Sequence, residues 1–284
     1  DGPRDRGGRD ASLTAASIWE TMREAEGGGS LSFLQEGKGI SGEAHGALPT
    51  ETPDEPPSGR PGRVDVKQFG AKGDGKSDDT EDFNAALGAV SHGGTCFVPS
   101  GKYLISPRGI TSRVRSNVHL IGAGRDQSVL TVTGMPAGNF LVADGDHWTI
   151  QDLAVDMADY FTSFGGFAAV VAKGHDWRVS NCAVRRIGRL GINAAGGSDG
   201  YIEGNEVEKS IASPYNNSAI ITVADARKKL PERIHILNNV CVNSAIYVNA
   251  VDSVIAHNRV SGSRCGPNLC TGVPSDNVSE IDND

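Results

Sequence analysis

The chain has 284 residues, a formal net charge of −8 at pH 7 and 37 glycines, and charged residues make up 22% of it. This composition favours many turns and short strands over long helices. No apolar run approaches the ~20 residues of a membrane span, and no basic stripe marks a nucleic-acid-binding face. Neither a membrane nor a nucleic acid is therefore expected as a partner. The start at Asp1, without a secretory apolar segment, leaves open that a leader or tag preceded it.

The first 63 residues differ in composition from the rest of the chain. Residues 1–46 are predicted to be a weakly ordered extension with one short helix over residues 13–26, which three consecutive glycines end. Residues 47–63 are rich in proline and predict an extended linker. Two alternatives stay open for Trp19 and its apolar neighbours: they dock on the rest of the protein or on a partner chain, or the extension is mostly disordered.

The stretch Val64–Ser106 combines a strand, a tight turn, a helix and a further strand. The two glycines that flank Asp74 predict the turn, because glycine adopts positive φ angles without strain. A helix is predicted over Asp79–Val90, since Phe83 and Leu87 belong to an apolar set at helical spacing and aspartates at its start offer N-caps. This helix is expected to cover an apolar surface that the rest of the chain builds.

The segments FGAKGDGKSDDTEDFNAAL and FVPSGKYLIS resemble the N-terminal signature of the pectate-lyase superfamily, which is also similar to polygalacturonases (glycosyl hydrolase family 28) and phage tailspikes. The resemblance implies an all-β fold, a single-stranded right-handed parallel β-helix over residues 64–284 with an N-terminal capping helix. The matched motif is the end cap of the solenoid, so no catalytic residue carries over. The sequence lacks the Asn-Thr-Asp and Gly-His-Gly pattern of polygalacturonases and the Asp-Pro-His-Glu tetrapeptide of alginate epimerases.

A short unit recurs from residue 117 onward without a fixed period: an apolar residue, two others, a ladder position, one more residue and an apolar residue. It occurs at 150–155, 179–184, 202–207, 236–241 and 255–260, and Leu120 begins an earlier unit, which predicts about six coils. Asn205, Asn239 and Asn258 occupy the ladder position, where asparagine tolerates a sharp bend and can bond to the next coil. An asparagine ladder is favoured over three unrelated surface turns.

A strand follows each unit after a loop of variable length. The strands are predicted over 167–172, 191–195, 219–224 and 245–250, and they would stack into one parallel sheet. The loops before them (157–166, 185–189, 208–217 and 242–244) and the insertion 225–232 would wall a groove across that sheet.

Four charged residues near these loops are the predicted catalytic groups. Asp156 and Asp159 lie in the first long loop, and a glycosidase needs two carboxyl groups across the scissile bond. Arg186 and Arg189 follow one coil later, and an arginine above an acidic loop can hold a uronate carboxylate in a bidentate pair and acidify its α-proton, as a lyase requires. Solvated loop acids and salt bridges between adjacent loops are the alternative interpretation.

Five further residues are predicted to bind a sugar substrate. Asn193, Tyr247 and Asn249 should lie on the outward face of the stacked strands, and Tyr160 and Tyr215 in the loops beside it. A tyrosine in a groove can stack on a sugar face, although exposed tyrosines on strands are also ordinary.

The remaining polar motifs have simpler interpretations. His175-Asp176 recurs as Ser198-Asp199 and Val251-Asp252, so these pairs are interpreted as turn formers before catalysts. Cys96, Cys182 and Cys241 lie in apolar strand contexts and are predicted to be buried thiols, whereas Cys265 and Cys270 are close enough for a disulfide or stay unpaired. No His/Cys spacing suggests zinc and the Gly-Asp-Gly turn explains the calcium-like fragment, so no cofactor and no metal are predicted.

These features predict a carbohydrate-active enzyme, hydrolase or lyase, that cleaves a polysaccharide outside the cell or in the periplasm. The alternative is a non-catalytic carbohydrate-binding or adhesion solenoid, which a smooth Ala/Val-lined sheet face would favour. After Val260 the sequence is polar and rich in turns, so the last coil is expected to lack a cover. Further chain or a second copy in a homo-oligomer would then cover its strand edges.

Overall fold

The computed structural model describes residues 62–160, 167–213, 218–223, 229–261, 269–271, 279–281 and 283. The predicted extension with its helix, the linker up to residue 61, Tyr215 and Cys265 lie outside the described residues.

The described strands form three parallel sheets of nine, eight and six strands. Sheet A consists of β1 (Gly62–Asp65), β3 (Gly94–Val98), β5 (Val118–Gly122), β8 (Thr149–Gln151), β11 (His175–Ser180), β14 (Ser198–Glu203), β17 (His235–Leu237), β20 (Val254–Ala256) and β23 (Ser279–Ile281). Sheet B consists of β2 (Asp74–Asp78), β4 (Gly101–Ile105), β6 (Ser128–Val132), β9 (Ala154–Asp156), β12 (Ala183–Ile187), β15 (Glu206–Lys209), β18 (Val240–Val242) and β21 (Arg259–Ser261). Sheet C consists of β7 (Leu141–Asp144), β10 (Ala168–Lys173), β13 (Leu190–Ala195), β16 (Ser218–Val223), β19 (Ala245–Val248) and β22 (Leu269–Thr271).

From β5 onward successive strands visit sheets A, B and C in turn, which is the winding of a parallel β-helix and confirms the all-β parallel fold. The prediction of about six coils is too low, because sheet A alone contains nine strands. Val64 and Cys96 precede Leu120 in the same register, and Glu280 follows Ile255. The repeat pattern missed the first two of these strands because its ladder position has no counterpart there.

Among the described residues a 3-10 helix (Val66–Phe69) and one α-helix, α1 (Thr80–Ala89), precede β3, and α1 is one residue shorter at each end than predicted. Phe83 and Leu87 are buried, and the Phe83 ring meets the Tyr103 ring edge-on at 5.2 Å between centroids. Asp79 occupies the N-cap position without a capping side-chain bond. Its buried carboxylate instead accepts the backbone N–H of Lys72 at 2.7 Å, so the expected helix cap is a clamp on the preceding turn. Among the described residues no helix is long and apolar enough to cross a membrane.

A column of asparagines runs through the bend between sheets A and B. The side-chain Nδ2 of Asn205 donates to Oδ1 of Asn239, and Asn239 donates in the same way to Asn258, at 3.0 and 2.9 Å. Asn258 then donates to Asn283 at 3.0 Å. The Nδ2 atom of each of these three residues also donates to a backbone carbonyl of an earlier coil. The side-chain nitrogen of each buried asparagine therefore makes two hydrogen bonds. These four residues are called the asparagine column below.

The chain after Val260 departs from its predicted irregular character. It adds β22 to sheet C and β23 to sheet A, and Asn283 extends the asparagine column by one coil. The expectation that the last coil lacks a cover stays a prediction.

The apolar interior lies between the three sheets. Trp148 and Trp177 stack in it on successive coils, with ring centroids 5.3 Å apart and planes 6° apart. Cys96, Cys182 and Cys241 are buried free thiols, as predicted. Burial raises the pKa of each of these thiols to about 12.

Candidate active site

The structure brings together Asp156, Asp159 and Arg186 at the corner where the chain passes from sheet B to sheet C. Asp156 and Arg186 belong to β9 and β12 of sheet B. This corner is the edge of sheet C at which its strands begin. Nε of Arg186 donates to Oδ1 of Asp156 at 2.7 Å, and Nη2 donates to Oδ2 of the same carboxylate at 2.5 Å. Nη1 donates to Oδ2 of Asp159 at 3.3 Å. The guanidinium is thus held in a bidentate pair by one carboxylate and more loosely by the other. This cluster is called the acid–arginine site.

Backbone geometry places the arginine there. The register between β12 and β15 shifts between Val184 and Ile187, so one extra residue bulges from β12. Arg186 lies in this bulge with a φ of 52°, a left-handed conformation that costs a non-glycine residue energy. Ala158 and Asp159 are also left-handed, with φ of 52° and 62°. Bulges re-aim side chains, and strained backbone clusters at functional sites, which makes this site the first candidate.

The electrostatics of the site are asymmetric. The side chain of Asp156 is 14% exposed, whereas those of Arg186 and Asp159 are 42% and 46% exposed. The hydrogen bond that Arg186 donates to Asp156, opposed by partial burial, raises the pKa of Arg186. Asp156 is therefore a half-buried anchor for the cation, and Asp159 is a more loosely held, solvent-facing counterion.

The other two residues predicted from these loops lie beside the acid–arginine site. Arg189 lies in the turn 188–189 between β12 and β13, and the contacts above are made by Arg186. Tyr160 follows Asp159, and the residue is 38% exposed to solvent. Its backbone N–H donates to the carbonyl of Met157 at 2.9 Å, which closes the turn that carries Asp159.

The outer face of sheet C is apolar. Val171, Asn193, Ile221 and Tyr247 follow one another in register across four strands. Val171 and Ile221 belong to an apolar cluster separate from the main core. Asn193 lies between them and is 6% exposed, so it is buried rather than presented to solvent. Contact of Asn193 with a substrate stays a prediction.

Two amides on this side of the protein have an unmet hydrogen-bonding atom. Oδ1 of Asn193 and Oδ1 of Asn249 are buried, and neither has a hydrogen-bond partner in the described part of the chain. The backbone N–H of Asn249 donates to Oγ1 of Thr222 at 2.7 Å, which ties the end of β19 to β16. Tyr247 is half-buried and packs against the outer apolar cluster.

A second polar cluster lies at the opposite edge of sheet C, where Gly174 joins β10 to β11. Nδ1 of His175 is 2.6 Å from Oγ of Ser198, and this hydroxyl donates to Oδ2 of Asp199 at 2.7 Å. Arg233 donates to both oxygens of Asp199 at 2.6 and 2.8 Å. This hydrogen bonding is the main cause that lowers the pKa of the Asp199 carboxyl. Sequence reasoning noticed the recurrence of these residues but interpreted it as turn formation alone.

The structure shows the turn formation and, in addition, a hydrogen-bond chain. Asp176, Asp199 and Asp252 are left-handed, with φ between 48° and 56°, so they do form the turn. The hydrogen-bonded chain from His175 to Arg233 could not be derived from the sequence, because its last two members are 34 residues apart. Among the described residues no group of three or more His, Cys, Asp or Glu side chains could hold a metal ion.

Comparisons with known proteins agree with this architecture. Over 104 residues the chain is 39% identical to alginate lyase 7 of Azotobacter vinelandii, covering 32% of this chain and 12% of that protein. The chain thus spans about an eighth of the length of this relative. The solved catalytic unit of a GH87 α-1,3-glucanase from Streptomyces thermodiastaticus superposes with a TM-score of 0.61 at 20% identity, over 81% of this chain and 40% of that one.

A surface adhesin of Streptococcus pneumoniae, PfbA, superposes with a TM-score of 0.57 at 15% identity, over 78% of this chain and 72% of the adhesin. At these identities the superpositions show the fold alone. The family model described as rhamnogalacturonase A/epimerase, pectate lyase-like, matches residues 63–258, which is more than half of the chain. The chain therefore belongs to the rhamnogalacturonase A/epimerase, pectate lyase-like family.

Proposed function

We propose that the chain acts on an acidic polysaccharide and that the acid–arginine site receives a uronate carboxylate. The observation that carries this proposal is the unequal hold on Arg186, which donates two bonds of 2.7 and 2.5 Å to half-buried Asp156 and one of 3.3 Å to exposed Asp159. A carboxylate of the substrate can replace Asp159 at Nη1 while Asp156 keeps the guanidinium in place. The exchange leaves the charge on Arg186 compensated.

The exchange also frees a base. Once displaced, the carboxylate of Asp159 lies beside a uronate whose own carboxylate is neutralised by Arg186. Neutralisation acidifies the proton on the carbon next to that carboxylate, and Asp159 is the group in reach to take it. The carbon–hydrogen electron pair then forms a double bond and expels the glycosidic oxygen at the neighbouring carbon, which is the reaction of a lyase. Return of a proton to the opposite face would instead give epimerisation.

Two further observations support an acidic substrate. The relative that shares 39% identity over 104 residues is an alginate lyase, and alginate is a polymer of uronates. A hydrolase needs one protonated and one ionised carboxyl group across the bond, whereas Asp156 and Asp159 both accept hydrogen bonds from the same guanidinium of Arg186. Within this proposal, α1 closes the N-terminal end of a right-handed solenoid, and the protein works outside the cell.

Incubation with mannuronan, polygalacturonate and a neutral α-1,3-glucan tests the proposal. Ultraviolet absorbance of unsaturated uronate reports elimination, proton NMR reports epimerised units, and reducing ends without unsaturation report hydrolysis. We expect unsaturated or epimerised product from a polyuronate, lost in Asp159→Asn and retained in the control Glu81→Gln, which removes an exposed carboxylate on α1. Product from the glucan alone, or none from any polymer, contradicts the proposal.

A second candidate function is non-catalytic binding of a polysaccharide. The outer face of sheet C favours the absence of catalysis, since its residues Val171 and Ile221 are apolar and buried and offer no acid–base group. Its distinguishing result is saturable binding of a polyuronate by the wild-type chain with no change in the length, saturation or epimer content of the polymer.

A further inference from the structure

The hydrogen-bond chain at the corner between sheets C and A fixes the tautomer of His175. The hydroxyl proton of Ser198 goes to Asp199, because a hydroxyl oxygen 2.7 Å from a carboxylate oxygen needs a proton between them. Ser198 has no second proton to give, so its oxygen must accept at the contact of 2.6 Å with Nδ1 of His175. Nδ1 of the neutral imidazole therefore carries the proton, and Nε2 carries the lone pair.

Further hydrogen bonds and burial fix the position of each residue in this hydrogen-bond chain. Ser198 is 2% exposed, so its hydroxyl has little access to competing water. Arg233 grips both oxygens of Asp199, and the backbone N–H of His175 donates to Oδ1 of Asp146 at 2.9 Å. The imidazole itself is exposed. The result is a solvent-facing acceptor atom with a fixed position, at the edge of sheet C opposite the acid–arginine site.

We propose that Nε2 of His175 accepts a hydrogen bond from a hydroxyl group of a saccharide bound at the corner between sheets C and A, where His175 is exposed. The strand β10 separates the two edges by six residues, or about 20 Å, so the contact belongs to a saccharide unit distant from the one at Arg186. An oriented imidazole acceptor selects hydroxyl donors, which every sugar carries. The inference rests on the proposed function for its ligand, and the tautomer does not depend on it.

The neighbouring His147 makes a useful comparison. Its Nδ1 lies 2.7 Å from Oδ2 of Asp176, but both side chains are more than 60% exposed, without a buried hydroxyl between them. Water therefore competes more strongly for the hydrogen bond of His147 than for the hydrogen-bond chain from His175 through Ser198 to Asp199, which is called the His175 relay.

Nitrogen NMR of the imidazoles above their titration range tests the tautomer without any ligand. We expect His175 in the Nδ1–H form in the wild type and a return toward the Nε2–H form, which dominates in free imidazole, in Ser198→Ala. A wild-type His175 in the Nε2–H form would overturn the inference, whatever the protein does to polysaccharides.

Calorimetric titration with a mannuronate oligosaccharide then tests the contact. One neutral hydrogen bond corresponds to a loss of affinity of about 2- to 10-fold in His175→Ala, with no change in the matched control His92→Ala, which lies in the loop after α1. Equal affinity of His175→Ala and wild type overturns the inference and leaves the proposed function standing. If the wild-type chain binds no oligosaccharide, both fall, and the NMR result alone keeps the tautomer.

Discussion

The interior of the solenoid has no spare room at Gly200. A Cβ on this residue would lie 2.2 Å from Cζ2 of Trp177, whose ring stacks on Trp148. We expect Gly200→Ala to lower the free energy of unfolding by about 1–3 kcal/mol, because the indole pair must shift. Chemical denaturation measures this. Gly88→Ala is the control: nothing lies within 4 Å of its Cβ position, so it should be neutral or slightly stabilising.

The asparagine column depends on amide donors. Asn239→Asp replaces a buried Nδ2 donor, which faces Oδ1 of Asn258 and the carbonyl of Ile202, with an acceptor. Burial raises the pKa of the new carboxyl above its unfolded value of about 3.9. The variant should therefore be least destabilised below pH ~4 and lose stability as pH rises through the folded pKa. Exposed Asn238, with a left-handed φ of 55°, gives the control Asn238→Asp, for which no such pH dependence is expected.

The three buried cysteines should be inert in the native protein. Their pKa of about 12 leaves almost no thiolate at pH 8, and the thiolate is the reactive form. Alkylation followed by peptide mapping should label Cys96, Cys182 and Cys241 only after denaturant is added. Labelling of Cys182 in the native protein at the rate of an exposed thiol would contradict its burial.

At the scale of elements, α1 is expected to close the apolar interior at one end of the solenoid. Phe83→Ala removes a ring that is fully buried against Tyr103 and should cost about 3–5 kcal/mol of stability. It should also increase binding of the dye ANS, because the interior opens. Glu81→Ala, on the exposed side of the same helix, is the control. Equal dye binding by both variants would argue that α1 packs beside the interior without sealing it.

Elements differ in how far the sequence determines them. The strands that carry the repeat, the bounds of α1 and the three buried thiols follow from apolar periodicity, since inward-facing residues must be apolar in any solenoid. β22 (Leu269–Thr271) and β23 (Ser279–Ile281) do not follow, because they are three residues long and lie in a stretch rich in polar and turn residues. The role of Asp79 also escapes prediction, since a helix N-cap and a clamp on the preceding turn both require an aspartate at that position.

The candidate site shows the same division. Sequence reasoning placed Asp156, Asp159 and Arg186 on adjacent loops but could not choose between a catalytic group and a salt bridge. The structure shows the salt bridge, and the choice of proposal depends on its unequal bond lengths and on the bulge at Arg186. Those features arise from the register between β12 and β15, which no local pattern encodes.

We propose that the whole molecule carries its chemistry at the two edges of sheet C where its strands begin and end. The acid–arginine site lies at one edge and the His175 relay at the other. Because the chain spans about an eighth of the length of alginate lyase 7, its activity on a polymer stays a prediction.

The most direct measurement is the affinity of the chain for a mannuronate oligosaccharide by calorimetry, compared with its carboxyl-reduced, neutral counterpart. A charge-assisted pair with Arg186 is worth about 1.5–3 kcal/mol, so Arg186→Gln should weaken binding at least about tenfold. The matched charge change Arg259→Gln, on exposed β21, should leave it unaltered. The neutral oligosaccharide should bind as weakly to the wild type as the acidic one does to Arg186→Gln. Equal affinity of wild type and Arg186→Gln for the acidic ligand would contradict the account.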